Sequence, residues 1–401
     1  MEKSINKLTK VIFLSQSIFS AGQVTMMTIL SVSAFKITGR ESLAGLPHSV
    51  LIFTPALTAY LMRLIMNRLG WRFGLTLGYL LGALGAIAGV FAVLNNLFGL
   101  LILAAALLGT SRASGDLSRY AAGQMYETSK RARMIGRVVF ASAIGGILGP
   151  LLSPWASNFF QTDAGIWGLS SFLYILAAIV TVLFLYPDPN TLAKKSIASD
   201  AKEVTKKSSV FALFKLPVVQ LAVSTMAISQ LVMVVLMVMT PLHIHKLHYG
   251  NEVIAYVISA HVLGMFGLSA LTGYLIDKYG TIPMLFAGAF TLASSVILAP
   301  LTDSGLVLAI ALFLLGLGWN FGYVAGSSLL SSSLPPAQKS KLQGIADSMV
   351  AFIAGFASLG SGPLFAMSGY LGLSLAGLLV TIFMAILIYF LSMQMKHKIA
   401  V

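Results

Sequence analysis

Leu101-Ile-Leu-Ala-Ala-Ala-Leu-Leu108 runs eight positions without a polar side chain, and that continuity decides the fold. A strand crossing a membrane in a closed barrel alternates polar and apolar residues over ~10-residue segments, which this run does not do. Stretches of this kind are bounded by charges twenty to thirty residues apart, long enough to cross a ~30 Å hydrocarbon core as helices. The rhythm repeats about twelve times. Of 401 residues, 57% are hydrophobic and 9% charged, against the ~25% charged of a soluble domain. The expectation is an all-α membrane protein with twelve transmembrane helices.

Working outward from Leu101, the spans are expected at 8–32, 44–67, 73–94, 98–122, 136–158 and 166–187, then at 216–241, 253–275, 282–300, 305–330, 345–366 and 370–393. Between the sixth and seventh lies the one long polar segment, with Lys194, Lys195, Asp200, Lys202, Glu203, Lys206 and Lys207. It divides the chain into an N-terminal six-helix half (1–187), a cytoplasmic linker (188–215) and a C-terminal six-helix half (216–401). Transporters built from two parallel halves share this plan.

The net charge of +14 follows from topology. With the N-terminus in the cytoplasm, only Lys36, Arg40 and Lys246 fall on the outer side and Arg112 within a span; the other Lys and Arg sit in or beside cytoplasmic segments. The positive-inside rule then accounts for the charge, and no nucleic-acid partner is needed. Both termini are expected in the cytoplasm and the chain in the inner membrane, its first apolar run being a span rather than a cleavable signal. The absence of cysteine excludes thiol catalysis, disulfides and Cys-ligated metal.

Three segments recur in order. Arg63-Leu-Ile-Met-Asn67-Arg68-Leu-Gly70 follows span 2, and Gly273-Tyr-Leu-Ile-Asp277-Lys278-Tyr-Gly280 follows span 8, at an offset of 210 residues. Arg119-Tyr120-Ala-Ala-Gly123 matches Gly322-Tyr323-Val-Ala-Gly326, and Gly149-Pro150 matches Gly362-Pro363. The halves read as pseudo-repeats.

The Gly273 to Gly280 loop resembles the first signature of the major facilitator superfamily: Gly, three residues, Asp, a basic residue, any residue, Gly. The resemblance implies the major facilitator fold, with Asp277 and Lys278 latching helix ends between conformations. The first copy departs from it: Arg63 replaces the Gly and Asn67 the Asp, leaving Arg68 as the basic residue and a weaker latch. Gly136, Gly145 and Gly149-Pro150 match the span-5 motif similar to that of drug/proton antiporters, with Ser153-Pro154 where a Gly pair is usual. That similarity implies export and a multidrug-resistance type of function; a generic Gly-rich packing face is the plainer reading.

Ionisable groups inside spans are candidates for coupling. Arg112 and Asp116, four apart on span 4, share a helical face, and Arg112 fits the family's span-4 arginine, which the resemblance associates with proton coupling. Asp116 is expected to accept the proton with Arg112 tuning it; a structural ion pair is the other reading. Asp347, three residues after Gly344 at the start of span 11, is either a helix-dipole cap or a coupling group. His261 in span 8 is a proton carrier or a satisfied core histidine. His243, His245 and His248 read as interfacial, and no metal site is expected.

For the substrate cavity, span 1 offers Gln16, Ser20, Gln23 and Met27 on one stripe, and span 7 offers Met226, Gln230, Met233 and Met237. Span 10 adds Trp319, Asn320 and Tyr323. The resulting expectation is a monomeric secondary transporter that exports a small amphipathic compound in exchange for protons by alternating access, without a cofactor. The alternative is a proton-coupled uptake symporter for a nutrient or metallophore. A membrane enzyme is excluded by the absence of a His-Glu-x-x-His or Gly-x-Ser-x-Gly motif, and ATP drive by the absence of a phosphate-binding loop.

Overall fold

The computed structural model describes residues 2–192, 213–332 and 336–399, and most of the linker expected at 188–215 lies outside the described residues. All regular structure in them is helical. In the first half, α1 (Glu2–Met27) and α2 (Leu30–Thr38) make one broken span. They are followed by α3 (Leu46–Leu69), α4 (Trp71–Leu94), α5 (Phe98–Gly123), α6 (Thr128–Leu151) with α7 (Ser153–Phe160), α8 (Ala164–Phe184) and the short α9 (Pro189–Leu192). The second half contains α10 (Pro217–Lys246), α11 (Asn251–Val262), a π turn (Leu263–Gly267), α12 (Ser269–Tyr279), α13 (Thr281–Leu298), α14 (Gly305–Ser332) and α15 (Pro336–Ile399).

Ten of these segments are long and apolar enough to cross a membrane, and the bent pair α11–α12 makes an eleventh. At 1.5 Å per residue α15 would be about 96 Å long, three times the hydrocarbon core. Gly369, at φ 64° and ψ −166°, breaks it into two crossings. Twelve spans result, as the hydropathy rhythm predicts. Several helix ends overrun the expected limits because first and last turns reach past the apolar core: α1 starts at Glu2, not residue 8, and α15 at Pro336, not 345. The latter puts Asp347 about three turns into the helix and not at its N-terminus as expected. Others fall short, α3 starting at Leu46 and α8 ending at Phe184, before Pro187.

The described residues fall into two compact units, and packing places Ile244–Ser259 with the first. Within that unit the Ser259 hydroxyl donates to the Ile147 carbonyl at 2.8 Å, Lys246 pairs with Glu41, and Asn251 Nδ2 donates to Asp163 Oδ1 at 3.0 Å. Asp163 also pairs with Lys36.

Repetition is visible in the backbone. Gly70 (φ 92°, ψ 161°) and Gly280 (φ 87°, ψ 168°) adopt the same left-handed-side conformation, open only to glycine at little cost, and each starts the next helix. A methyl group on Gly109 of α5 would stand 2.9 Å from the Leu51 carbonyl of α3; one on Gly316 of α14 would press the His261 carbonyl and stand 2.8 Å from Met265 N. Span 2 is disturbed at Pro55, which cannot donate to Leu51. Span 8 is disturbed at the equivalent Met265, at the centre of the π turn.

In the first unit α1 and α6 cross at close range. Cβ atoms added to Gly145 or Gly149 would lie 2.8 Å from Ser17 C and 2.7 Å from Ala21 Cα respectively, so the two backbones touch. Buried aromatics fill the space beside this crossing: Phe19 lies 5.0 Å from Tyr79 and 5.5 Å from Tyr174, centroid to centroid. Pro150 and Pro154 then interrupt the span, and the chain turns at Leu152.

Candidate functional site

In the second unit, three helices and the π turn bring a row of side chains together. The Trp319 indole N–H donates to Gln230 Oε1 at 2.7 Å, joining α14 to α10. Trp319 and Tyr323, four apart on α14, stack at 4.9 Å and 21°, and Phe266 of the π turn meets Trp319 edge-on at 5.9 Å and 74°. The Tyr323 hydroxyl donates to Asp347 Oδ1 at 3.0 Å, linking α14 to α15. Trp319 is buried, Gln230 and Tyr323 are half-buried, and Asp347 is exposed. The row thus grades from a buried apolar end to a carboxylate. A flat ring can lie against such a surface, and a polar or cationic substituent can reach the acid.

Asn320, one residue from Trp319, points elsewhere. Its Nδ2 donates to the Met265 carbonyl at 2.6 Å and to Ser269 Oγ at 2.8 Å, while Thr272 donates to its Oδ1 at 2.5 Å. A π turn frees backbone groups that an apolar span cannot leave unpaired, and Asn320 satisfies one of them. Met233 is buried in the packing of α10. His261, fully buried, donates from Nδ1 to the Leu312 carbonyl at 2.9 Å, which leaves Nε2 as a lone-pair acceptor without a partner among the described residues.

In the first unit, the Gln16 amide is held at both ends: Nε2 donates to Ser142 Oγ at 2.9 Å and Oε1 accepts from Ser118 at 2.8 Å. Gln23 accepts from the Tyr174 hydroxyl at 2.8 Å, and its buried Nε2 has no partner among the described residues. Arg112 Nε stands 3.7 Å from Asp116 Oδ2, with side chains 40% and 59% exposed. Such exposure keeps the pair weak and breakable.

Arg63, Asn67, Arg68, Gly273, Asp277 and Lys278, expected in loops after spans 2 and 8, lie instead in the C-terminal turns of α3 and α12, which continue to Leu69 and Tyr279. The five with charged or amide side chains are exposed, and Gly273 has open space around it. Beside Gly70 a carboxylate arrives from another part of the chain. Asp188 Oδ2 accepts the Arg72 backbone N–H at 2.9 Å, at the positive end of α4. His243 stacks face to face on Tyr370 at 4.1 Å, and His248, at φ 63°, ends the turn after α10. Among the described residues no three His, Asp or Glu side chains come together as metal ligands.

The sequence reading brings Gln230, Trp319, Tyr323 and Asp347 into view on three separate spans, and the structure joins them. It does not single out Phe266, Tyr174, Ser118 or Ser142. Phe266 is one of 24 phenylalanines and is distinguished only by the π turn, which hydropathy does not register.

Twelve apolar crossings in two pseudo-repeated halves, with polar and ionisable side chains held inside them, define a polytopic transporter. The chain belongs to the Major Facilitator Superfamily, whose sequence model matches residues 12–359. It is a secondary transporter of a small molecule across a membrane, not an enzyme. It is 31% identical to the uncharacterized MFS-type transporter YddS of Bacillus subtilis (strain 168), over 97% of this chain and 92% of that one. It is 26% identical to the riboflavin transporter RfnT of Brucella anthropi, over 90% of this chain and 89% of that one. In fold it is similar to the crystal structure of a bacterial homologue of the human lysosomal transporter Spinster, with a TM-score of 0.71 at 14% identity, covering 98% and 97% of the two chains.

Proposed function

We propose that the protein exports a small, flat, amphipathic organic compound in exchange for protons, working as a monomer in the inner membrane with both termini and the 188–215 linker in the cytoplasm. The observation that carries the substrate class is the row Gln230, Trp319, Tyr323 and Asp347, flanked by Phe266. Aromatic faces favour a planar ring over a sugar or an inorganic anion, and the carboxylate disfavours an anionic substituent. Riboflavin, named in the Brucella relative, has such a ring. The lean towards export rests on the span-5 motif at Gly145, Gly149 and Pro150. Coupling is assigned to Asp116. Arg112, one turn away, is the partner from which it separates when the conformation changes.

A panel of planar amphipathic compounds, riboflavin included, is screened for thermal stabilisation of the purified protein. The expected result is stabilisation by planar members, weakened several-fold in apparent affinity by Trp319→Ala, which removes the indole as one aromatic contact to the bound ring worth about 0.5–1.5 kcal/mol. Stabilisation by sugars or peptides alone would overturn the substrate class. Direction of coupling is read in proteoliposomes with an imposed pH gradient. Antiport accumulates the stabilising compound in the acidic compartment, and accumulation in the alkaline one would replace exchange with symport.

A further inference from the structure

Outside the row of aromatic side chains, the first turns of α1 carry a second feature that transport does not account for. Lys3, Lys7 and Lys10 are exposed and spaced four and three residues apart, so they stand on one face of the helix. None has an acidic partner in an ion pair among the described residues. Three cations in the opening turns oppose the helix dipole, whose positive end is the N-terminus, so the arrangement favours a bound anion there. The same stripe continues along the helix as Val11 and Leu14. The end of α8 faces it with Val180 and Phe184, and together they line a groove of about 550 Å³. Basic side chains at one end and an apolar floor at the other match a molecule with an anionic head and a hydrocarbon tail.

The depth fits as well. At 26 residues α1 is about 39 Å long, more than the ~30 Å core, so its first turns reach the headgroup layer while Val11 and Leu14 lie nearer the acyl chains. We propose that the groove between the start of α1 and the end of α8 binds an anionic phospholipid of the leaflet that holds the N-terminus. The phosphate lies among Lys3, Lys7 and Lys10, and an acyl chain runs over Val11, Leu14, Val180 and Phe184. Basic pockets beside transmembrane helices recognise lipid headgroups in this manner.

The test uses the purified full-length protein in nanodiscs of phosphatidylcholine with increasing phosphatidylglycerol, followed by native mass spectrometry and by thermal stability. The wild type is expected to retain phosphatidylglycerol and to gain stability from it. Lys3→Gln/Lys7→Gln/Lys10→Gln is expected to weaken retention roughly a hundredfold, each lysine contributing about fivefold. Phe184→Ser should weaken it several-fold by removing part of the floor. Lys130→Gln/Arg133→Gln/Arg137→Gln on α6 removes the same charge elsewhere and should retain the lipid as the wild type does. Undiminished retention in the lysine variant would overturn the proposal, as would an equal loss in the α6 variant, which would reduce the effect to bulk charge. Displacement of the lipid by millimolar inorganic phosphate would show a free-anion site and refute the lipid as occupant.

Discussion

Gly149 and Gly136 belong to one sequence motif, yet their surroundings predict opposite responses to a single methyl group. On Gly149 the methyl would stand 2.7 Å from Ala21 Cα and 2.8 Å from its carbonyl carbon, and Gly136 has nothing within 4 Å. Carbon atoms at rest prefer about 3.5–4.0 Å. The obstacle is the backbone of α1, which cannot rotate aside as a side chain can, so α1 and α6 must move apart by about 1 Å. Overpacking of this kind costs about 1–3 kcal/mol. Replacing a helical glycine by alanine otherwise returns about 1 kcal/mol in propensity. Gly136→Ala should therefore be neutral to stabilising, and Gly149→Ala should be less stable than it by about 1–3 kcal/mol, roughly 5- to 150-fold in the folding equilibrium. Titration of the detergent-solubilised protein with sodium dodecyl sulfate, followed by tryptophan fluorescence, reads the difference. If Gly149→Ala proves as stable as Gly136→Ala, the two backbones do not touch and the reading of the motif as a close helix crossing fails.

Two further outcomes follow from topology and coupling. In this cysteine-free chain, single cysteines placed at either terminus or within 188–215 should resist labelling from outside intact cells by a membrane-impermeant reagent, and efficient labelling would invert the topology. Asp116→Asn should abolish concentrative transport driven by a pH gradient while sparing downhill exchange; His261→Gln should do the same only if the unpaired Nε2 carries the proton. A pH gradient that still drives accumulation in both variants would remove both residues from coupling.

The span order was legible in the sequence because hydropathy and the positive-inside bias act on every residue, and few other structures satisfy the backbone in lipid. Breaks within spans were less so. Pro150 and Pro154 announce themselves, whereas the π turn at Leu263–Gly267 does not: an i→i+5 turn leaves the apolar pattern intact. The same limit applies to buried polar side chains. Gln16 and Asn320 both read as cavity residues, since a polar group in an apolar span is conspicuous. Packing commits Gln16 to Ser118 and Ser142, and Asn320 to the Met265 carbonyl with Ser269 and Thr272. Spacing along one helix tells which face a residue occupies but not which neighbouring helix brings it a partner. The link from Tyr323 to Asp347, which crosses from α14 to α15, could not be read for that reason.

Comparison of the halves separates what the fold requires from what chemistry has been free to alter. Gly70 and Gly280 share a conformation that other residues adopt only with strain, and Gly109 and Gly316 both admit a carbonyl of the neighbouring helix; these pairs answer to the backbone. Where side chains decide, the halves differ. Span 2 is distorted by Pro55 and span 8 by a π turn held by Asn320. Asn67 stands where Asp277 does, while Asp188 brings a carboxylate to the Arg72 N–H from another part of the chain. The first unit has the exposed Arg112–Asp116 pair in a span; the second has the indole, phenol and carboxylate row. Charges that associate and separate suit proton exchange, and aromatic faces with one acid suit a flat organic molecule. Under the proposed function, the divergence of the repeats is a division of labour in which the first half couples and the second recognises.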